Sequence, residues 1–361
     1  MVNEAFLIET AALFKGADTP EHAEPLGNGH INRTCLVTAL GGRKYVLQRI
    51  NERVFTDVDL LMRNITHVTE YLNAQRPGSS LRFLRGRDGK AYIRTEDGAY
   101  RMYEYVEGVC LEKAKTAEEL GACGVAFGDF QTALGEFDAG LLGEIIPRFH
   151  DTVKRVNDLD EATQKDVSGR LKNANAELDF FLSRRTEAEK MLAMQREGKL
   201  KTRVTHNDTK LNNVILDPDT LAPKCVIDLD TVMPGLAGND FGDCIRSGAT
   251  TGVEDEPDLS KVNLDLKKYS AFAGGFLGHC GKALNRYEVE TLPLGAYLMT
   301  YECGARFLTD YLNGDVYFHT DYPEHNLVRA RTQIKLVSDT ERDWKRLQEI
   351  IEYQSNREDI S

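Results

Sequence analysis

The sequence contains no run of about 18–20 apolar residues of the kind that spans a bilayer. Its opening, MVNEAFLIETAALF, is acidic and amphipathic, without a basic start or a small-residue cleavage site, so no signal peptide is expected. Seven cysteines stand at positions 35, 110, 123, 225, 244, 280 and 303, with no CxxC pair among them. An odd, unpatterned set suits reduced thiols in the cytoplasm and argues against a cysteine-built metal cluster. Basic patches are missing too. The formal net charge is −12, and the clusters RFLRGRDGK and RRTEAEK are short or interleaved with acids. Neither a nucleic acid nor an anionic membrane is therefore an expected partner. No GxxxxGK[ST] occurs, which excludes the P-loop class. Internal repeats and low-complexity segments are absent.

What is present is a chain of 361 residues, 41% hydrophobic and 28% charged, long enough for a large core and two lobes. Residues 1–20 read as a helix. TCLVTAL and KYVLQRI read as two strands joined at GGRK. Across 57–74 the helical period returns, with Leu61, Ile65, Val68 and Leu72 on one stripe, until Pro77-Gly78 breaks it. AYIRT and AYRMYEYV follow as strands. After EGVC the pattern turns helical. Leu120, Cys123, Phe127, Phe130 and Leu134 form one stripe, with Gly121, Gly124 and Gly128 among them. The unbroken apolar spacing assigns those glycines to close helix packing and not to a phosphate loop. Residues 160–197 read as a long charged helical region, and the tail to 361 as mainly helical. The fold class is α+β, with a small β-rich lobe over 1–105 and a larger helical lobe over 106–361.

The densest polar cluster lies in VTHNDTKLNNVILD, against the apolar run Val214-Ile215-Leu216. His206, Asp208 and Asn213 fit H-x-D-x-x-x-x-N, the frame in which an aspartate meets an acceptor hydroxyl and an asparagine reaches Mg²⁺. Asp228, at the end of KCVID, supplies a second candidate metal carboxylate, or alternatively caps the following turn. Gly27, Gly29 and Asn32 form G-x-G-x-x-N between strands, where glycine lets backbone N–H groups approach phosphates, or simply forms a hairpin turn. Arg49 in YVLQRI stands in register for a phosphate contact, or for a solvated strand arginine. In MYEYVEG, the backbone groups of Glu104 and Val106 are candidates to meet adenine.

Taken in this order, the motifs resemble the aminoglycoside phosphotransferase and choline kinase-like superfamily, which shares the protein-kinase fold. The resemblance covers nearly the whole chain. More narrowly, YVLQRIN, LMRNITHVTEYL, VTHNDTKLNNVILD, CVIDLDTVMPGLAGNDFGD and ARFLTDYLNGDVYF are similar to the N-acetylhexosamine 1-kinases. The resemblance implies a bilobal fold whose first lobe binds ATP and whose second carries the catalytic loop and a small-molecule sugar. It implies Asp208 as base, Asn213 and Asp228 on Mg²⁺, and His206 as an organiser of the loop. Asp230 would touch metal or sugar, or cap a turn, and Lys210 would reach the γ-phosphate or stay solvated. Arg306, Asp310, Tyr317 and His30 are the sugar-site candidates, against a plain amphipathic helix with solvated charges. One departure stands out. The helix after Arg49 has no glutamate where a kinase lysine finds its partner: Asp57 and Asp59 come early, Glu70 late, and Asn64 holds the expected place. Another small acceptor (choline, homoserine or an aminoglycoside) and a non-catalytic nucleotide-binding regulator are the alternatives.

Overall fold

A computed structural model describes residues 3–27 and 31–357. The chain begins with α1 (Glu4–Ala11), whose N-terminus is capped by the Asn3 side chain. Strands β1 (Pro20–Pro25), β2 (Arg33–Ala39) and β3 (Lys44–Arg49) follow, then α2 (Val58–Gln75), β4 (Ile93–Thr95) and β5 (Gly98–Glu104). They form one antiparallel sheet in the order β1-β2-β3-β5-β4. The helix expected over 1–20 is thus much shorter, and PEHAEP is a strand that alternation did not reveal. Its two prolines are tolerated because β1 is a sheet edge, where some N–H groups need no ladder partner.

The sheet's two faces have different tasks. Tyr45, Leu47, Tyr100 and Met102 pack with Leu7, Ala11 and Phe14 at the α1 end. The alternate residues Val46 and Tyr103 join Leu26, Val106, Ile215, Cys225 and Ile227 in an apolar cluster shared by both lobes. Because side chains alternate along a strand, Gln48 and its cross-strand partner Arg101 lie on this second face, while Arg49 lies on the first. The stripe expected on α2 is buried as Leu61, Ile65, Val68 and Leu72, and Asp57 caps it by accepting from the Leu60 amide.

The larger lobe contains α3 (Ala117–Ala133), α4 (Thr152–Lys165), α5 (Asn175–Ser183) and α6 (Lys190–Arg196). Two small antiparallel strand pairs follow, from β6 (Arg203–Thr205), β7 (Val214–Leu216), β8 (Pro223–Val226) and β9 (Met233–Gly235). Helices α7 (Ala237–Gly248), α8 (Leu266–Cys280), α9 (Arg286–Glu290), α10 (Leu292–Asn313), α11 (His325–Arg342) and α12 (Trp344–Asn356) complete it. The helical region expected over 160–197 is built from several short helices. Asp166 ends α4 in a left-handed conformation (φ 34°), and Gly169 (φ 65°) turns the chain toward α5. The α3 glycines do serve close packing. A Cβ at Gly124 would stand 2.4 Å from the Phe272 carbonyl oxygen of α8, and one at Gly128 would stand 2.6 Å from that of Phe276. No described helix is long and apolar enough to cross a membrane.

Candidate active site

Two antiparallel strand pairs assemble the polar cluster. β6 pairs with β9, and β7 pairs with β8 in the register Val214↔Val226. The loop 206–213 leaves β6 and enters β7, while the turn 227–232 connects β8 to β9. The Ile227 amide donates to the Asn213 carbonyl oxygen at 2.9 Å, which brings Asp228 beside the loop. Asn207 (φ 64°) and Asp228 (φ 58°) are both left-handed, a conformation asparagine and aspartate adopt more readily than other non-glycine residues. The apolar run is therefore an anchor for the polar cluster: Val214 and Leu216 have no exposed surface.

The loop is held from beneath by α7. Asp240 accepts from the His206 amide (2.9 Å), the Asn207 amide (2.8 Å) and the Gln131 side chain (2.9 Å). Burial pushes its carboxyl pKa up, opposed by these donors. His206 is fully buried, edge-on to Phe127 and Phe130. Its Nδ1 accepts from the Asp208 amide and its Nε2 meets the Ile227 carbonyl at 2.8 Å, so the ring carries its proton on Nε2. It organises the loop and faces away from the cleft. Asp208 is left partly exposed, with Oδ1 2.7 Å from Lys210 Nζ. Asn213 Nδ2 donates to the Asp208 carbonyl (2.7 Å) and to Oδ2 (3.2 Å). Those bonds fix the amide orientation and leave the Asn213 side-chain oxygen as its acceptor end.

Asp228 opens to the cleft but lies deep between the lobes. That depth, with Asp230 and Asp208 nearby, raises its carboxyl pKa to about 6. A carboxylate so placed fits a cation. Among the described residues no three His, Cys, Asp or Glu side chains converge as a metal cage. Mg²⁺ does not require one, since it usually takes one or two carboxylates with the rest of its shell from water and phosphate. Asp228 and the Asn213 amide oxygen match that donor set.

On the nucleotide side the expected residues separate. Gly29 and His30 lie outside the described residues. Gly27 has φ 67°, a turn conformation that favours glycine. Asn32 is buried and donates from Nδ2 to Asp230 Oδ2 at 2.5 Å. Arg49 does not reach the cleft: on the α1 face of the sheet, its guanidinium binds the carboxylate of Asp97 (2.7 Å) and its carbonyl oxygen. The one-residue alternation of the strand gives the cleft face to Gln48 and places the buried cation Arg101 there instead. Glu104 gives its amide to the Arg82 carbonyl and its carboxylate to Arg43 and Arg82. Val106 joins the apolar cluster with Leu26, Val46 and Ile215. Asn64, in the place of the missing glutamate, is fully buried and donates to the carbonyls of Gly143 and Val232.

On the opposite side of the loop, Arg306 stands over the rings of Phe149, Tyr317 and Phe318 at 5.5–5.8 Å. Tyr317 is 69% exposed. Asp310 accepts the amides of Val316, Tyr317 and Phe318 as well as the Asn326 side chain, so it shapes the loop that carries Tyr317. Asp230 uses both carboxylate oxygens on protein partners, Asn32 and Arg101. His150, Glu302, Asp243 and Arg101 were not legible as site residues. His150 Nε2 meets the Asn207 carbonyl (3.1 Å) and Nδ1 meets Glu302 (3.1 Å). Asp243 binds Arg246 through Oδ1, while its Oδ2 is buried with no hydrogen-bond partner among the described residues. The only local signal was the pair of acids in GNDFGD, three residues apart on α7.

A family model for the phosphotransferase enzyme family matches residues 22–274, more than half of the chain. Among solved structures, the chain is similar to an amicoumacin kinase determined with AMP-PNP and Ca²⁺. The TM-score is 0.62 and the identity 17%, covering 92% of this chain and 93% of that one. An aminoglycoside phosphotransferase from Alicyclobacillus acidocaldarius matches with TM-score 0.62 and 15% identity over 96% of both chains. A choline kinase from Cryptosporidium parvum matches with TM-score 0.59 and 14% identity over 95% and 96%. At these identities the structural likeness establishes the kinase-like fold, a small antiparallel sheet lobe on a helical lobe. With the family match, it makes this chain a member of the phosphotransferase enzyme family.

Proposed function

We propose that the chain transfers the γ-phosphoryl group of ATP, with Mg²⁺, to the anomeric 1-hydroxyl of an N-acetylhexosamine in the cytoplasm. The observation that carries this is the convergence of Asp208, Asn213 and Asp228 beside the interlobe apolar cluster of Leu26, Val46, Tyr103, Val106 and Ile215. A flat heterocycle would lie against that cluster, with the Glu104 carbonyl and the Val106 backbone as its polar partners and Gly27 toward the phosphates. Asp228 and Asn213 hold Mg²⁺, which when bound offsets negative charge on the transferring group. Asp208 orients the acceptor hydroxyl and takes its proton on a carboxylate oxygen. Lys210, whose pKa is raised by Asp208 and Asp243 despite the opposing pull of burial, stays protonated and holds that carboxylate in place.

The acceptor wall supports a neutral sugar over a cationic acceptor. Arg155 and Arg306 are close enough that, after burial, repulsion by Arg306 is the next cause depressing the Arg155 pKa. A choline or aminoglycoside would meet those positive charges. Tyr317 offers an aromatic face to a sugar, and Asp243 Oδ2, which has no hydrogen-bond partner among the described residues, would be satisfied by a hydroxyl. The test is ADP release from ATP and Mg²⁺ with a panel of N-acetylhexosamines, plain hexoses, choline, homoserine and aminoglycosides. N-acetylhexosamine turnover is expected, lost by about 10²–10⁴-fold in Asp208→Asn with nucleotide binding retained. Turnover of a cationic acceptor alone would replace the sugar assignment. No ADP release with any acceptor would favour a nucleotide-binding regulator.

A further inference from the structure

The sheet lobe and the helical lobe meet through one buried polar chain that the catalytic residues do not explain. Arg101 of β5 and Asp230 of the 227–232 turn form an ion pair whose side chains are 3% and 5% exposed. Arg101 Nε donates to Gln48 Oε1 (2.9 Å), and Gln48 Nε2 donates to Thr34 Oγ1 (3.0 Å). The second oxygen of Asp230 accepts from Asn32 at 2.5 Å, and Asn32 Oδ1 accepts from the Asn51 amide at 2.9 Å. On the other side, Thr231 Oγ1 donates to the His206 carbonyl (2.7 Å), and Asn207 Nδ2 donates to the Thr231 carbonyl (2.9 Å). The chain thus runs from the loop between β1 and β2, through Asp230, to the backbone two residues from Asp208. Asp228, in its left-handed conformation, is two residues from Asp230 on the same turn.

We propose that Arg101 and Asp230 are positioning residues that, with Asn32 at the entry to β2, hold the turn bearing Asp228 in register with the sheet that faces the nucleotide. The idea rests on the nucleotide reading given above. A buried ion pair is a poor source of stability, because desolvating two charges offsets much of their attraction. Such a pair does fix geometry, and this one lies where two lobes must hold a set register. It also accounts for the missing strand cation. Arg49 is on the wrong face, and Asn64, in the place of the helix glutamate, binds backbone. The interlobe charge pair is instead made by a neighbouring strand and the Asp228 turn. With both oxygens engaged, Asp230 serves by holding the turn and not by touching sugar.

The experiment compares the unaltered protein with Asn32→Ala, Arg101→Lys and the double variant Arg101→Met/Asp230→Leu, which removes both charges and leaves neither unpaired. Calorimetric titration with ADP and Mg²⁺ gives nucleotide affinity without any acceptor, and steady-state kinetics give separate KM values. Asn32→Ala and the double variant are each expected to bind ADP about tenfold more weakly, with acceptor KM nearly unchanged. Adding Asn32→Ala to the double variant should cost little more, since the residues act as one unit. Arg101→Lys should recover part of the loss. Variants that change only the melting temperature, with ADP affinity and both KM values intact, would make the pair a structural strut and overturn the proposal. A rise confined to acceptor KM would return Asp230 to the sugar site and overturn it as well. If the unaltered protein binds no ADP, the nucleotide reading and this proposal fail together.

Discussion

At the scale of single residues, His150 illustrates a charge that sequence could not assign. Burial works against its protonation, but Glu302 at 3.1 Å and Asp243 favour it, and the folded-state pKa rises above the ordinary 6.5. The folded state therefore holds the proton more tightly than the unfolded chain. The stability this pair supplies is fully present below about pH 6.5 and is lost as pH rises through the raised folded value. Glu302→Gln should cost about 3 kcal/mol in urea unfolding near pH 6 and much less near pH 9. An equal cost at both would show that the pair's charge does not matter. Asp208 and Asn213 were legible because they belong to one short loop with a fixed spacing. His150 and Glu302 were not, being 152 positions apart and joined only by the packing of the helical lobe. Arg49 was misplaced for a smaller reason. Reading a strand one position out of step sends the side chain to the opposite face of the sheet.

Among the elements, the glycine stripe of α3 is the clearest case of a sequence pattern with a steric meaning. Gly124→Ala brings a Cβ to 2.4 Å from the Phe272 carbonyl oxygen and 3.0 Å from the Phe276 amide, both backbone atoms that cannot swing aside. The helix-propensity gain of about 1 kcal/mol for alanine is outweighed by overpacking of about 2–3 kcal/mol, so the variant should unfold at lower denaturant. Gly278 on α8 is the control, since a Cβ there meets nothing within 4 Å. Gly278→Ala should stabilise by about 0.5 kcal/mol. Equal midpoints for the two variants would contradict this account of the interface. Elsewhere, local pattern sufficed for α2 and the β2–β3 hairpin, where alternation or helical period ran uninterrupted. It failed for β1, whose exposed edge carries His22, Glu21 and Glu24 and so shows no apolar alternation.

For the molecule as a whole, Asp228 lies buried within the field of Asp230 and Asp208 at the lobe boundary of a chain with net charge −12. Burial first, and then the neighbouring carboxylates, make its ionised form costly in the fold whenever no cation is present. With its carboxyl pKa raised to about 6 from 3.8, Asp228 keeps its proton in the fold longer than in the unfolded chain. As pH rises from about 4 to about 6, this group's contribution to stability therefore falls, and it stays low above that. Asp228→Asn, isosteric and at ease in a left-handed conformation, should melt higher than the parent in metal-free buffer at pH 8. The gain should be about 1–3 °C, because solvent in the cleft screens the repulsion. It should disappear near pH 4, while turnover is lost at every pH. A variant that melts lower at pH 8 would mean that Asp228 is held by attractive partners and not strained by like charges.

The sequence by itself determined the parts of this protein that depend on short-range order. The α+β division, the α2 stripe, the close packing of α3 and the H-x-D-x-x-x-x-N loop each reside in a few tens of consecutive residues, where spacing dictates direction. Only the tertiary structure decided which charges face one another. It paired Arg101 with Asp230, seated the His206 and Asn207 amides on Asp240, turned Arg49 outward to Asp97, and gave Asp310 to the loop of Tyr317. Those contacts join residues far apart in the chain through buried polar bonds. A polar residue carries in its own neighbourhood no mark of which distant partner will satisfy it.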